Sequence, residues 1–318
     1  MSEHIPVLVQ EVLSFLLPKP GDTLLDATLG HGGHAKAFLD AAPDTHVIGI
    51  DADSAALEIA KQTLASYGDK VTYVHGNFYE LPDVQVNAVL FDLGIGSHQI
   101  ADETRGFSFT SPGALTMQYG EHAALPDSNL SSINELTQKL HRYPDAEDIV
   151  NSLSPTALAE LVRVYGEERY AGVVGNAIAE GRPFASAARL AKAVEAALPA
   201  FYEKGRINPA TRTFQALRLA VNRELEVLEK ALPAALDRLL PGGVIVVISF
   251  HSLEDRIVKR YFRSEAQGCI CPPQQVVCIC SHKPRLEILT KRPASATEEE
   301  AKTNPRSRSA KIRAAKKI

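Results

Sequence analysis

Three carboxylates and a run of glycines are spaced along this chain as a nucleoside-bearing ligand would need them. The segment Asp26-Ala27-Thr28-Leu29-Gly30-His31-Gly32-Gly33-His34 follows the apolar run Thr23-Leu24-Leu25. A second apolar run, Val47-Ile48-Gly49-Ile50, ends at Asp51. Turn glycines let backbone N–H groups approach a ligand closely, and an acid closing the next strand is placed to hold ribose hydroxyls. Farther on, Gly76-Asn77-Phe78 offers an aromatic face for a base. The stretch Asp92-Leu93-Gly94-Ile95-Gly96-Ser97-His98-Gln99 adds a carboxylate, two glycines and several polar groups. Each residue has a plainer reading alone: Phe78 in the core, Asp92 as a helix cap, His31 and His34 facing solvent. Together the plain readings require four strand ends to be polar by accident.

Two cofactors compete for such a site. Gly30, Gly32 and Ala35 fit the dinucleotide spacing G-x-G-x-x-G/A, with Asp51 following. Asp26 points instead to S-adenosylmethionine, whose methionine amino group an acid at the first strand end can reach. A pyrophosphate near the same turn would be repelled by that acid.

The elements that must position these residues are legible as strands near 23–27, 46–50, 71–75 and 86–91, with helices between them, such as 54–66. A short lead helix is expected within 5–17. Strands alternating with helices give a parallel sheet with crossover helices. After residue 94 the alternation stops. Helical stretches are expected near 130–142, 155–165, 168–180 and 186–198, with no convincing strand between 106 and 205. A long helical pattern over 210–239 and a strand over 244–250 resume the alternation. The expected architecture is α/β, Rossmann-like, with an inserted all-α domain. The first part of the α/β domain spans 1–105, the insertion 106–205, the second part 206–292, and a basic C-terminal segment 293–318. That last segment is expected to be extended or partly disordered around 297–300. A fifth strand end reads Ser249-Phe250-His251-Ser252-Leu253-Glu254-Asp255-Arg256, where Ser252 could cap a helix with Asp255 three residues on. Ser249 and His251 would then lie on the substrate side of the sheet.

Length and composition narrow the function. The chain has 318 residues, enough for two domains, and 45% apolar content, ordinary for a globular protein. The apolar run 244–248 is too short to span a bilayer, and Met1-Ser2-Glu3-His4 starts no signal peptide. A cytoplasmic protein without a membrane partner is expected. The formal charge of −4 carries no nucleic-acid signal, but the bases cluster. One cluster is Lys302, Arg306, Arg308, Lys311, Arg313, Lys316 and Lys317. A second is Arg256, Lys259, Arg260 and Arg263. A third is Lys204, Arg206, Arg212, Arg218 and Arg223. Beside a nucleoside-cofactor site, such clusters suggest phosphate contacts. Cys269, Cys271, Cys278 and Cys280 form two C-x-C pairs around Pro272-Pro273, with His282 nearby. They could hold zinc, remain free thiols or form labile disulfides, and the spacing is not that of a standard finger. No metal is assigned to the catalytic site.

With these motifs in hand, the chain resembles the bacterial 16S ribosomal RNA (cytosine-N4)-methyltransferases. The matching segments are 4–11, 26–34, Ile50-Asp51, His75-Gly76-Asn77-Phe78 and 92–99. They continue through Arg105-Gly106-Phe107-Ser108-Phe109, Tyr165-Gly166-Glu167-Glu168-Arg169, 208–216, 249–259 and Asn304-Pro305-Arg306-Ser307-Arg308-Ser309. The resemblance implies a class I methyltransferase fold interrupted by a helical substrate-recognition domain. It implies that Gly32, Gly33, His34, Asp51, Phe78, Asp92 and Gln99 line an S-adenosylmethionine site. It further implies an exocyclic cytosine amine in the decoding region of 16S ribosomal RNA as acceptor, and hence 16S rRNA and the small ribosomal subunit as partners. A homodimer is left open. Asp92, with backbone carbonyls of Leu93 and Gly94, is the expected acceptor for the target amine, and no dedicated base is required. Two departures from the family stand out. The loop after Asp92 reads Leu93-Gly94-Ile95-Gly96-Ser97 rather than Leu-Gly-Val-Ser-Ser. Leu115-Thr116-Met117-Gln118-Tyr119 replaces Leu-Asp-Met-Arg-Met, losing an acid and an arginine. The competing functions are a non-catalytic RNA-binding assembly factor and an NAD-dependent oxidoreductase. Intact cofactor-site residues argue against the first, and Asp26 with the Asp92 loop against the second. Deleting residues after Thr303 is expected to weaken RNA binding and its salt dependence.

Overall fold

A computed structural model describes residues 5–120, 125–202, 207–272, 274–275 and 277–318. His4, Lys204, Arg206 and Pro273, all used above, lie outside the described residues, as does the side chain of Ser97. The chain divides into two compact units, one of residues 1–94 and 228–318 and the other of residues 95–227. This second unit begins earlier and ends later than the expected insertion of 106–205. The last part of the 92–99 loop and residues 210–227 of the 210–239 pattern belong to it.

In the first unit, five parallel strands carry the apolar runs. They are β1 (Thr23–Asp26), β2 (His46–Asp51), β3 (Val71–His75), β4 (Val86–Asp92) and β5 (Leu239–Ser249). Three short antiparallel pieces follow: β6 (Leu286–Ile288), β7 (Ala294–Ser295) and β8 (Lys311–Lys317). The order is β3-β2-β1-β4-β5-β8-β6, with β7 also pairing with β8. Successive residues of a strand face opposite sides of a sheet, so a run apolar at every position fills two cores. Leu24, Leu90, Val246 and Ile248 enter one core; Leu25, Val89, Phe91, Ile245 and Val247 enter the other. The chain leaves β1 towards β2 on one side and reaches β4 on the other, so the strand order reverses at β1/β4. Open α/β sheets bind ligands beyond the carboxyl ends of the strands at such a point. Strand β5 starts five residues before the expected 244. Its register against β4 jumps from Val86↔Leu239 to Ala88↔Val244, which lets Pro241-Gly242-Gly243 bulge out.

The C-terminal segment is helical around 297–300 and belongs to the first unit. Thr297 caps the helix Glu298–Thr303, its hydroxyl accepting from the Glu300 N–H. The three glutamates that suggested disorder instead occupy the first turn, where the helix dipole favours acids. Glu300 also accepts from the Leu8 N–H at 2.7 Å, just ahead of the lead helix Val9–Leu16. Strand β8 lies inside the sheet, antiparallel to both β5 and β6. Its core residues are Ile312 and Ala314 on one face and Ala315 on the other, only one of them β-branched, so strand propensity hid it. Arg313, counted above with the basic cluster, is buried and forked onto Asp255, at 2.6 Å and 3.0 Å. Lys317 donates to the carbonyls of Leu236 and Leu239. Removing residues after Thr303 would therefore delete a sheet strand, and that deletion does not isolate RNA contact. Arg313→Ala strands the Asp255 carboxylate. We expect it to lower the unfolding free energy by about 3 kcal/mol, measured as a lower urea midpoint at unchanged slope.

In the second unit every described element is helical. The helices Ser131–Leu140, Ala146–Ser152, Pro155–Gly166, Ala171–Glu180 and Ala187–Ala197 cover the expected stretches and add the one at 146–152. The single long helix expected over 210–239 is two, Thr211–Asn222 and Glu224–Arg238. Arg223 between them has a φ of 52°, and its guanidinium is fully buried, donating to the Ala220 carbonyl and the Thr137 hydroxyl. A left-handed arginine continues the apolar pattern while breaking the helix, so periodicity could not reveal it. The other described arginines of that cluster also have partners within this unit. Arg212 donates to the Glu167 carbonyl, and Arg218 forks onto Glu224 at 2.8 Å and 3.0 Å. The expectation of a phosphate contact is thereby corrected for Arg223, which is buried. At the departure 115–119, the Tyr119 hydroxyl donates to Glu224 and its ring stacks on Phe107 at 5.7 Å.

Candidate functional site

Four strand ends of the first unit bring the expected residues to one edge of the sheet. β1 ends at Asp26, and the turn that follows is pinned to both neighbouring strands. Ala27 N–H donates to the Leu90 carbonyl and Leu29 N–H to the Ile50 carbonyl. Gly32, with a φ of 80°, precedes the helix Gly33–Ala41. A Cβ there would be strained by the backbone and would lie 2.9 Å from Leu64 Cδ1. Gly33 packs against Pro6, and a Cβ on it would meet that ring at 2.8 Å.

Asp51 holds the turn as well as facing the ligand edge. Its Oδ2 accepts from the Gly30 N–H and its Oδ1 from the Asp53 N–H, both at 2.8 Å. Its carbonyl accepts from the Gly76 N–H, which sets the start of the Gly76-Asn77-Phe78 segment. Phe78 is half-buried and meets Phe91 edge-on at 5.6 Å. The core and ligand-face readings of Phe78 are therefore compatible: one edge packs inward.

Asp92 ends β4. Its N–H donates to the Thr28 hydroxyl at 2.6 Å, tying the β4 end to the glycine turn. Its Oδ1 is buried with no hydrogen-bond partner, while its Oδ2 lies 3.6 Å from His34 Nδ1, too far for a hydrogen bond. The other ring nitrogen of His34, Nε2, lies 2.8 Å from the Val7 carbonyl. That acceptor makes Nε2 the protonated nitrogen and leaves the Nδ1 lone pair towards Asp92. Burial lowers the His34 pKa, so the ring is neutral at pH 7. Gly94, with a φ of 103°, lets the chain leave β4 close to the Phe250 ring. Ile95, Gly96 and Gln99 belong to the other unit. There Gln99 is buried and accepts from the Gly96 N–H at 2.9 Å.

The electrostatics select the ligand's sign. Burial raises the Asp26 pKa to about 7, with Asp92 and Asp51 adding repulsion and the Thr28 N–H opposing it. Burial likewise raises Asp92 to about 7, with Glu254 adding repulsion. Three acids around one turn, two of them holding protons to near neutrality, suit a ligand that carries positive charge. A pyrophosphate would meet further repulsion. The orphaned Asp92 oxygen fits the same ligand class, because a buried unpaired carboxylate oxygen is costly until something donates to it.

Glu254 was not anticipated from sequence. Sequence spacing placed the helix cap at Ser252 with Asp255 as its partner. In the structure His251 precedes the helix Ser252–Glu265, and Glu254 is the residue reaching back. Its Oε2 accepts from the Phe250 N–H at 2.8 Å, and its Oε1 lies 3.1 Å from His251 Nε2. The signal was present as an acid three residues after His251, but histidine is an uncommon cap. Ser249 is buried, its hydroxyl 3.4 Å from the Lys311 carbonyl, a structural contact within the sheet.

Asp26→Asn separates binding from stability. The Asp26 carboxyl ionises near 3.8 when unfolded and near 7 when folded, so the folded state holds the extra proton between those values. Its contribution to stability is therefore lost as pH rises through that window. In the ligand-free protein, Asp26→Asn should raise the thermal midpoint at pH 8, with a smaller gain at pH 5, and should weaken a cationic ligand. An equal midpoint change at both pH values would show that Asp26 ionises normally.

Comparison with known proteins extends these observations. The sequence profile of the MraW methylase family matches residues 1–318. A protein of Pelobacter propionicus called ribosomal RNA small subunit methyltransferase H is 45% identical, over 99% of both chains. The protein of the same name from Heliobacterium modesticaldum is 43% identical over 99% of this chain and 98% of its own. That from Geobacter sulfurreducens is 44% identical over 99% of both.

Proposed function

The chain belongs to the MraW methylase family, and from that membership we propose that it methylates small-subunit ribosomal RNA, using S-adenosylmethionine, on the N4 amine of a decoding-region cytosine. The observation that carries the cofactor assignment is the cluster of Asp26, Asp51 and Asp92 around the glycine turn, with Asp26 and Asp92 raised to about 7. Bound S-adenosylmethionine would supply a methyl group on a positively charged sulfur; the N4–methyl bond would form as the sulfur–methyl bond breaks to leave the neutral thioether, and the proton shed by N4 would pass to solvent, so no strong base is needed.

The chain's own residues hold, orient and exclude. Asp26 accepts from the cofactor's ammonium end. Asp51, whose carboxylate anchors two backbone N–H groups of the turn, accepts from the ribose hydroxyls. Phe78 offers its free face to adenine. Asp92 faces the reacting amine with its unpartnered Oδ1. Cytosine N4 is a weak nucleophile because its lone pair is delocalised into the ring. Accepting a hydrogen bond from its N–H directs the lone pair towards the methyl carbon, and alignment of this kind supplies roughly 7–11 kcal/mol in favourable model systems. The base must leave its stack to reach the pocket. No residue in this set requires a second chain, so the reading does not depend on a homodimer.

Arg256, Lys259, Arg260 and Arg263 are exposed along the helix Ser252–Glu265, and we assign them to RNA phosphates. An acceptor on the small ribosomal subunit places the enzyme in the cytoplasm. Among the described residues no helix is long and apolar enough to cross a membrane. The deciding experiment incubates the protein with labelled S-adenosylmethionine and unmodified small subunits or naked 16S RNA, then identifies the modified nucleoside by mass spectrometry. N4-methylated cytidine is expected. Label on another base, or none with either substrate, would overturn the assignment.

A further inference from the structure

Between the helix Ser252–Glu265 and β6 the chain makes an excursion that the methyltransferase reading leaves unused. Its two ends are joined: the Arg285 N–H donates to the Glu265 carbonyl at 2.7 Å, and His282 Nε2 lies 3.1 Å from the Ser264 carbonyl. The excursion carries Cys269, Cys271, Cys278 and Cys280, all free thiols. Their four sulfurs lie within 4.8 Å of one another. Cys269 to Cys278 is 3.5 Å, Cys278 to Cys280 3.6 Å and Cys280 to Cys269 3.8 Å.

These distances discriminate among the three fates left open by the sequence. A disulfide requires about 2.05 Å between sulfurs. Packing of thiols as small apolar groups occurs in buried surroundings, whereas Cys269 and Cys278 are exposed and the other two half-exposed. Four thiolates around a tetrahedral zinc ion, at about 2.3 Å each, lie about 3.8 Å apart. The observed spacings fit that last arrangement. The Ile270 N–H points at Cys280 Sγ at 3.5 Å, the kind of outer contact that supports a thiolate ligand. The soft, all-sulfur donor set selects zinc or iron over magnesium or calcium.

We propose that Cys269, Cys271, Cys278 and Cys280 form a structural zinc site, closed by four sulfurs with no open position for chemistry. Binding converts four thiols to thiolates with release of their protons, and no oxidant is involved. The ion clamps the two C-x-C pairs together and so fixes the excursion on the surface of the α/β unit, where no hydrophobic core would hold it. The exposed Ile270, Val277 and Ile279, interleaved with the ligands, are consistent with an excursion that folds around a metal rather than an apolar centre.

The test uses the full chain purified without chelators. Elemental analysis should find about one zinc per chain, at least tenfold more than in a Cys269→Ser/Cys278→Ser variant whose circular dichroism is unchanged. Replacing zinc by cobalt(II) should produce the intense visible absorption of a tetrahedral tetrathiolate. A thiol reagent should react slowly with native protein and rapidly after chelation. Three results would overturn the proposal: zinc no higher than in the variant, iron in its place, or the non-reduced mass of two disulfides. None of these readouts depends on methyl transfer, so they leave the proposed activity untouched either way.

Discussion

Asp92→Asn is expected to lower methyl transfer to small-subunit RNA by about 10²–10³-fold, the loss seen when one well-placed polar group is removed from a reacting centre. The substitution keeps the size and one oxygen but replaces an acceptor by an NH2 donor. Whichever way the amide turns, the charge facing the target amine is gone. The Asp92 N–H bond to Thr28 and the strand pairing stay, so the fold should persist. The effect should fall on turnover more than on RNA affinity. The wild-type pH profile provides an independent check. Only the ionised carboxylate has both oxygens free to accept, and Asp92 titrates near 7 in the free protein. The specificity constant should therefore rise with pH through about 7, whereas turnover of the cofactor complex should rise at lower pH, because a nearby positive sulfur favours the ionised form. Asp92→Asn should flatten that limb. Full turnover by the variant with normal cofactor affinity would remove Asp92 from both of its proposed roles.

Asp51→Ala should weaken S-adenosylmethionine binding by roughly 10²-fold. Hydrogen bonds to a charged acceptor are worth about 1.5–3 kcal/mol each, and two ribose hydroxyls would lose theirs at once. The alanine also releases the Gly30 and Asp53 N–H groups, so some of the loss would come from a loosened turn. Asp51→Asn separates the parts: one side-chain oxygen remains to hold the turn, and affinity should fall between wild type and alanine. Calorimetry with S-adenosylmethionine measures all three. Alanine binding as tightly as wild type would show that the ribose is held elsewhere.

The site was legible where local chemistry and strand pattern coincide. Asp26, the glycine turn, Asp51, Phe78 and Asp92 each follow an apolar run, and parallel pairing brings the ends of such runs to one edge. Three features escaped because their cause is distant in sequence. Glu254 matters through its proximity to Asp92, which only the β4–β5 pairing creates. Val7 matters because its carbonyl fixes the tautomer of His34. β8 looked like a basic tail because its one buried charge, Arg313, is paired with an acid far back in the chain. The insertion boundaries shifted for a related reason. Residues 95–105 and 207–227 group with the helical unit, although the sequence reading places them in the α/β domain.

The interrupted sheet also has a history in time. Ribosomes deliver chains from the amino end, and each domain tends to fold as it emerges. When β4 is made, its outer edge has no neighbour until β5 arrives after the whole helical unit. β5 in turn waits for β8, which is made after every other strand. Glu300, which holds the lead helix whose preceding segment holds His34, also comes late. The half-built sheet thus presents an open, apolar edge throughout synthesis, the situation in which nascent chains are most prone to pair wrongly.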